Sequence, residues 1–147
     1  MEIAGTVSAL LREKNRSLSS IEPTATVFAA IELMAAQNIG ALPVVDDGKL
    51  VGMFSERDYT RKVILLGRSS KKTPVAEIMT RNPTVAAPDD SIGDCMRLMT
   101  DERVRHLPVL DGGTLVGILS IGDLVKWIIS SQTATIDQLT KYIFGEA

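Results

Sequence analysis

The chain has 147 residues, 45% hydrophobic, 23% charged and only 4% aromatic, with a formal net charge of −2. That is the length and composition of an ordinary globular domain. It lacks the positive excess of a duplex nucleic-acid binder, and no apolar run is long enough to cross a bilayer. The single cysteine, Cys95, rules out an intrachain disulfide framework. The N-terminus lacks the basic-then-apolar pattern of a secretory signal, so a cytoplasmic protein is expected.

In chain order, residues 1–16 form an N-terminal segment with a helix expected over 5–13. "SLSSI", residues 17–21, reads as a short extended piece ending at Glu22-Pro23. Residues 24–38 carry Val27, Ile31, Met34 and Ala35 at helical spacing. Thr24 and Thr26 are candidate N-caps and Gly40 is the stop signal. "ALPVV", 41–45, reads as a buried strand, Asp46-Asp47-Gly48-Lys49 as a hairpin turn, and "LVGMF", 50–54, as the return strand. Ser55 opens a second helix that stops at Gly67, and residues 67–80 read as a linker.

The order then recurs. A strand is expected at 84–87, a helix at 91–102, strands at 106–110 and 115–119 around Asp111-Gly112-Gly113, and a helix from 121 to about 130. Thr135 with Gln138 three residues later has the capping-box pattern, which predicts a separate terminal helix over 135–145 within the last segment, 131–147. Its apolar Ile136, Leu139, Ile143 and Phe144 need a partner, either the N-terminal helix or a second subunit.

The recurrence is a duplication. At an offset of 65 residues, 13 of the 36 positions from 23 to 58 are identical without a gap, from Pro23 and Pro88 to Asp58 and Asp123. Upstream the match slips to an offset of 68, pairing Val7, Leu10 and Leu11 with Val75, Ile78 and Met79. Two copies rather than three or more argue against a solenoid. They suggest half-domains at 17–66 and 81–130 related by a pseudo-twofold axis.

"LPVVDDGKLVGMFSERD" and "LPVLDGGTLVGILSIGD" resemble the signature of cystathionine-β-synthase (CBS) domains, which occur in tandem as the Bateman module. "SERDYTRKV" and "SIGDLVKWI" further resemble the small stand-alone bacterial CBS-pair proteins. The resemblance implies an α+β fold of two β-α-β-β-α repeats packed through their sheets, with extra terminal helices. It implies clefts between the repeats that take an adenine nucleotide (AMP, ADP, ATP, NAD or S-adenosylmethionine) and a disc-shaped homodimer.

Each repeat ends on Ser-x-x-Asp, which has two readings. Structurally it caps a helix, with Asp at N3 favoured by the dipole. Functionally, a helix N-terminus offers N–H groups to a phosphate, and an acid one turn in can accept both hydroxyls of a ribose. By the resemblance, Asp58 and Asp123 hold ribose and Ser55 and Ser120 contact phosphate. One expected pocket joins Ser120 and Asp123 to Ser19, Ser20, Gly40 and Ala41. The other joins Ser55 and Asp58 to Thr80, Thr84, Arg105 and His106, with Arg57, Arg61, Lys62 and Arg103 as further cations suited to phosphate. The second motif has only Lys126 nearby in sequence, so other phosphate partners must come from elsewhere.

His106 is the sole histidine and no cluster has metal-ligand spacing, so no metal is expected. No nucleophile–base pair is legible. No catalytic residue or catalytic cofactor is assigned. The expected function is a regulatory module that binds an adenine nucleotide and passes its occupancy to an unidentified protein target. The alternatives are a nucleotide-processing enzyme and a scaffold with empty pockets. Neither a membrane nor a nucleic acid is an expected partner, since few aromatics are available for base stacking.

Overall fold

Two hairpins anchor the chain. β1 (Ala41–Asp46) and β2 (Lys49–Ser55) pair antiparallel through a tight turn. Asp47 and Gly48 both take positive φ, 50° and 75°, as a turn matched to strand twist requires. β4 (His106–Asp111) and β5 (Thr114–Ser120) form the equivalent two-stranded sheet, turning on Gly112 and Gly113. The computed structural model describes residues 3–15 and 17–144.

The remaining elements are α1 (Val7–Lys14), α2 (Val27–Gln37), the short α3 (Glu56–Tyr59), β3 (Thr80–Arg81), α4 (Ile92–Glu102) and α5 (Ile121–Phe144). Thr6, Thr26 and Ser91 cap α1, α2 and α4 by accepting from the N–H three residues on. α2 ends on Asn38 rather than Gly40. Asn38 takes the left-handed conformation at φ 54°, and Arg103 does the same for α4 at φ 55°.

The chain divides into two compact units that interleave in sequence. One comprises residues 17–85 and 108–118, the other 1–16, 86–107 and 119–147. In the first, α2 begins against residues 73–76, within the expected linker. Val27 N–H donates to Thr73 O at 2.9 Å, Val75 N–H to Ala25 O at 2.8 Å, and Ala76 N–H to Pro23 O at 2.9 Å. In the second, α4 begins against α1 by the same three bonds. Ile92 N–H donates to Gly5 O at 3.1 Å, Val7 N–H to Asp90 O and Ser8 N–H to Pro88 O, both at 2.9 Å. These bonds satisfy donors that a helix start leaves orphaned. The offset of 68 that pairs Val7 with Val75 therefore marks one repeated joint. In each unit a segment lying just upstream of the other repeat closes the helix start.

The core of the first unit gathers Val27, Met34, Leu42, Val44, Phe54, Val63, Val75 and Ile78, all at most 2% exposed. The second unit buries Val7, Leu10, Ile92, Cys95, Met99, Leu107, Leu119 and Leu124. Each fully buried Leu, Ile or Phe contributes roughly 1.5–3 kcal/mol.

Three expectations are corrected. The helix from Ser55 toward Gly67 is α-helical only over α3; Thr60–Ile64 is a π turn, with Leu65 N–H reaching Thr60 O at 3.1 Å. No strand forms over 84–87, a stretch bounded by Pro83 and Pro88 in which Ala86 makes only an isolated bridge; a different short strand, β3, forms on the edge of β2. The terminal helix is not separate: α5 runs unbroken from Ile121 to Phe144, because no Gly or Pro lies between Asp123 and Phe144, and Thr135 is interior rather than a cap. Gly145, the expected end, lies outside the described residues.

β3 reaches β2 only because position 52 is glycine. A Cβ there would sit 2.7 Å from the Met79 sulfur and 2.9 Å from the Thr80 carbonyl oxygen. Gly52→Ala is expected to push β3 off and destabilise the fold by about 1–3 kcal/mol, read as a lower urea midpoint at unchanged slope.

Candidate functional site

Each hairpin delivers a Ser-x-x-Asp to a helix start, and each motif closes on itself. At the first, Asp58 N–H donates to Ser55 Oγ at 3.2 Å, and Asp58 Oδ2 accepts from Ser55 N–H at 3.0 Å. The second repeats this: Asp123 N–H to Ser120 Oγ at 3.0 Å, Ser120 N–H to Asp123 Oδ2 at 2.8 Å. The capping reading is thus realised in both. What separates them is the remaining company of each carboxylate.

Asp58 is buried, and its Oδ1 faces Thr80 Oγ1 at 3.4 Å and Lys62 Nζ at 3.2 Å. Lys62 also donates to Ile78 O at 3.1 Å, so the partly exposed lysine lies across the site. Of the expected residues, the structure gathers Ser55, Asp58, Lys62 and Thr80 here. Gly40 and Ala41 adjoin the same motif: Glu56 N–H donates to Gly40 O at 3.0 Å, and Ala41 stands opposite Ser55 in the β1–β2 register. Arg57 and Arg61 are exposed beside it, Thr84 and Ser19 are half-buried and Ser20 is exposed.

Asp123 has a partner the sequence reading missed. Lys14 Nζ, at the end of α1, lies 2.8 Å from Asp123 Oδ2, and both side chains are about four-fifths covered, at 23% and 22% exposure. The position matching Lys62 is Trp127, whose indole N–H donates to Ala4 O at 2.8 Å. Gly5 permits that approach, at φ 111° and with the ring where its Cβ would be. A cleft of about 310 Å³ opens here between Lys14, Asp123, Lys126 and Trp127. Arg105 and His106 also adjoin this motif. Ile121 N–H donates to Arg105 O at 2.9 Å, and His106 feels the charges of Asp123 and Lys14. No sequence pattern marked Lys14: at the offset of 68 it faces Asn82, and Thr80 faces Arg12.

The electrostatics follow. Burial works to raise the Asp123 pKa, but hydrogen bonding and charge from Lys14, with Ser120, outweigh it and hold the carboxyl below its usual value. Burial is also the main cause that depresses His106, assisted by Lys14 and Arg105 and opposed by Asp123, so the imidazole is neutral at pH 7. Burial, then Asp90 and Asp94, push the Cys95 thiol up to about 11, which keeps it protonated in the core. Among the described residues no group of three or more His, Cys, Asp or Glu could hold a metal.

These shifts have a sign. The unfolded state takes up a proton on His106 more readily than the fold, so stability present above about pH 6.5 declines as pH falls below it, by at most about 1.4 kcal/mol per pH unit. The Asp123 contribution is present above about pH 4 and is lost only as pH drops through its lower folded value. Urea midpoints from pH 8 to 3 should fall in two stages, and His106→Asn should remove the upper one.

The family model described as "CBS domain" matches residues 9–64 and 75–130. The chain is similar to the mitochondrial CBS domain-containing protein CBSX3 of Arabidopsis thaliana, 37% identical over 149 residues, covering 95% of this chain and 72% of that one. It is similar to the solved structure of a CBS-domain protein of proposed signal-transduction role from Burkholderia ambifaria, at 49% identity and TM-score 0.83, covering 87% of this chain and 96% of that one. A hexameric CBS-CP12 protein from bloom-forming cyanobacteria matches at 29% identity and TM-score 0.74, covering 82% and 70%.

Proposed function

The chain belongs to the CBS-domain family as a tandem pair, and from that premise we propose that it is a regulatory module that binds an adenine nucleotide, AMP, ATP or NAD in type, at its two Ser-x-x-Asp motifs. Occupancy is relayed to a protein target, and the module works in the cytoplasm without a reaction of its own. The observation that carries the reading is the pair of carboxylates, Asp58 and Asp123, each fixed by its own capping serine and each with a lysine within 3.2 Å. A ribose diol suits a fixed carboxylate, and a phosphate suits the adjacent cations. The two acids belong to different units. Among the described residues, no helix is long and apolar enough to cross a membrane.

Ligand that binds only the fold stabilises it by about 2.7 kcal/mol at one hundred times its Kd. A thermal-shift panel of AMP, ADP, ATP, NAD, NADH and S-adenosylmethionine should show a rise with at least one adenylate, and no turnover of it. Calorimetry should count one site fewer in Asp58→Ala and in Asp123→Ala. Unchanged binding in both variants would remove the ribose assignment, and turnover would favour the enzyme reading.

Self-association with a second copy is part of the proposal. Val125, Ile129, Ile136, Leu139 and Ile143 are 43–69% exposed along α5 and fall on a heptad seam. Covering them in two copies removes on the order of 1,000 Å², the size at which a specific interface stands. The cyanobacterial relative is itself hexameric. Light scattering should show an assembly larger than 15.9 kDa that Ile136→Lys with Leu139→Lys reduces by one association step.

A further inference from the structure

We propose that Trp127 is the base-stacking residue of the Asp123 site: a nucleotide whose ribose is held by Asp123 lays its base on the indole, a platform that the Asp58 site lacks. The inference rests on the nucleotide-binding reading of Asp123. It goes beyond that reading by naming the group that recognises the base and by separating the two sites.

Placement and rigidity combine. Asp123 and Trp127 lie four residues apart on α5, so their side chains stand on one face, about 5–6 Å apart at Cβ. Both line the cleft of about 310 Å³, with Leu10 of α1 as a further apolar wall. That volume is at the small end for clefts that hold a small molecule, roughly 300–1,000 Å³. A base joined to a ribose on Asp123 therefore falls within reach of the indole. The ring is also held ready. Its N–H donates to Ala4 O at 2.8 Å. The same edge lies against Gly5, where a Cβ would come within 2.5 Å of Cζ2 and 2.8 Å of Nε1. Trp127 is only half-buried, so part of the ring stays open to the cleft. Two contacts fix the indole before a ligand arrives, and stacking on it orders little further. A flat, rigid and partly open ring beside a fixed carboxylate suits the face of a base.

The Asp58 site is built otherwise. Its matching position is Lys62, whose ammonium pairs with Asp58. The aromatic next to Asp58 in sequence, Tyr59, packs against the core of its own unit. One turn beyond the carboxylate, the first motif offers a cation and the second a ring. Trp127 is the sole tryptophan of the chain, so its emission reads the Asp123 site alone.

The test titrates the full chain with AMP, ATP and NAD, and with ribose 5-phosphate, which has the sugar and phosphate but no base. Calorimetry and tryptophan emission are read together. An adenylate that gives heat should quench Trp127 in the unsubstituted chain and in Asp58→Ala, and not in Asp123→Ala. Ribose 5-phosphate should leave the emission unchanged. In the Asp58→Ala background, Trp127→Leu should weaken that adenylate about tenfold, and Trp127→Phe, which keeps a ring, should stay within about threefold. The emission readings need no substitution at 127, so they decide even where Trp127→Leu fails to fold. Adenylate binding lost in Asp123→Ala but silent in emission, quenching by ribose 5-phosphate equal to that by the adenylate, or undiminished affinity in Trp127→Leu overturns the inference while leaving nucleotide binding intact. Neither heat nor quenching with any of the three adenylates overturns both.

Discussion

The arrangement depends on how α2 and α4 begin. A helix start exposes backbone N–H groups that must be satisfied, and here the partner comes from a distant segment of the chain. Three hydrogen bonds join Gly5–Ser8 to the residues around Ser91, and three matching ones join Thr73–Ala76 to the residues around Thr26. Because each closing segment precedes the other repeat, neither repeat contains all of its own structure. The interleaved units are the direct outcome.

The site inherits its asymmetry from these joints. After the joint, one closing segment continues as Met79 and β3, bringing Thr80 to Asp58; the other continues as α1, bringing Lys14 to Asp123. The hairpins and capping serines are nearly identical copies, so they supply two equivalent carboxylates. The joints give them unequal neighbours, a threonine at one and a remote lysine at the other, and the segments that follow the motifs add Lys62 and Trp127. Duplication doubled the holder, and divergence on both sides of each motif set what surrounds it.

Much of this was legible in the sequence. The turns at Asp47-Gly48 and Gly112-Gly113, the hairpins and the Ser-x-x-Asp boxes follow from local rules that act within a few residues. The α+β pair followed from the duplication. What escaped depends on distance or on competition among local signals. Asn38 stopped α2 two residues ahead of Gly40 because a left-handed Asn can close the last turn by itself. The π turn at Thr60 left no trace in hydrophobic spacing. Thr135 and Gln138 looked like a cap only because nothing local distinguishes a cap from a helix interior where neither Gly nor Pro intervenes. Lys14 lies 109 positions from its partner, and no local pattern pointed toward it.

The separation of α1 from its partners has a consequence for synthesis. α1 leaves the ribosome early, but its backbone partners near Ser91 and its ionic partner at Asp123 emerge some 80 to 110 residues later, many seconds on at ordinary elongation rates. Eight residues cannot hold a helix alone in water for that interval. α1 is therefore among the last elements to fold, and a nascent chain halted before Asp123 carries this segment still open to proteases and chaperones.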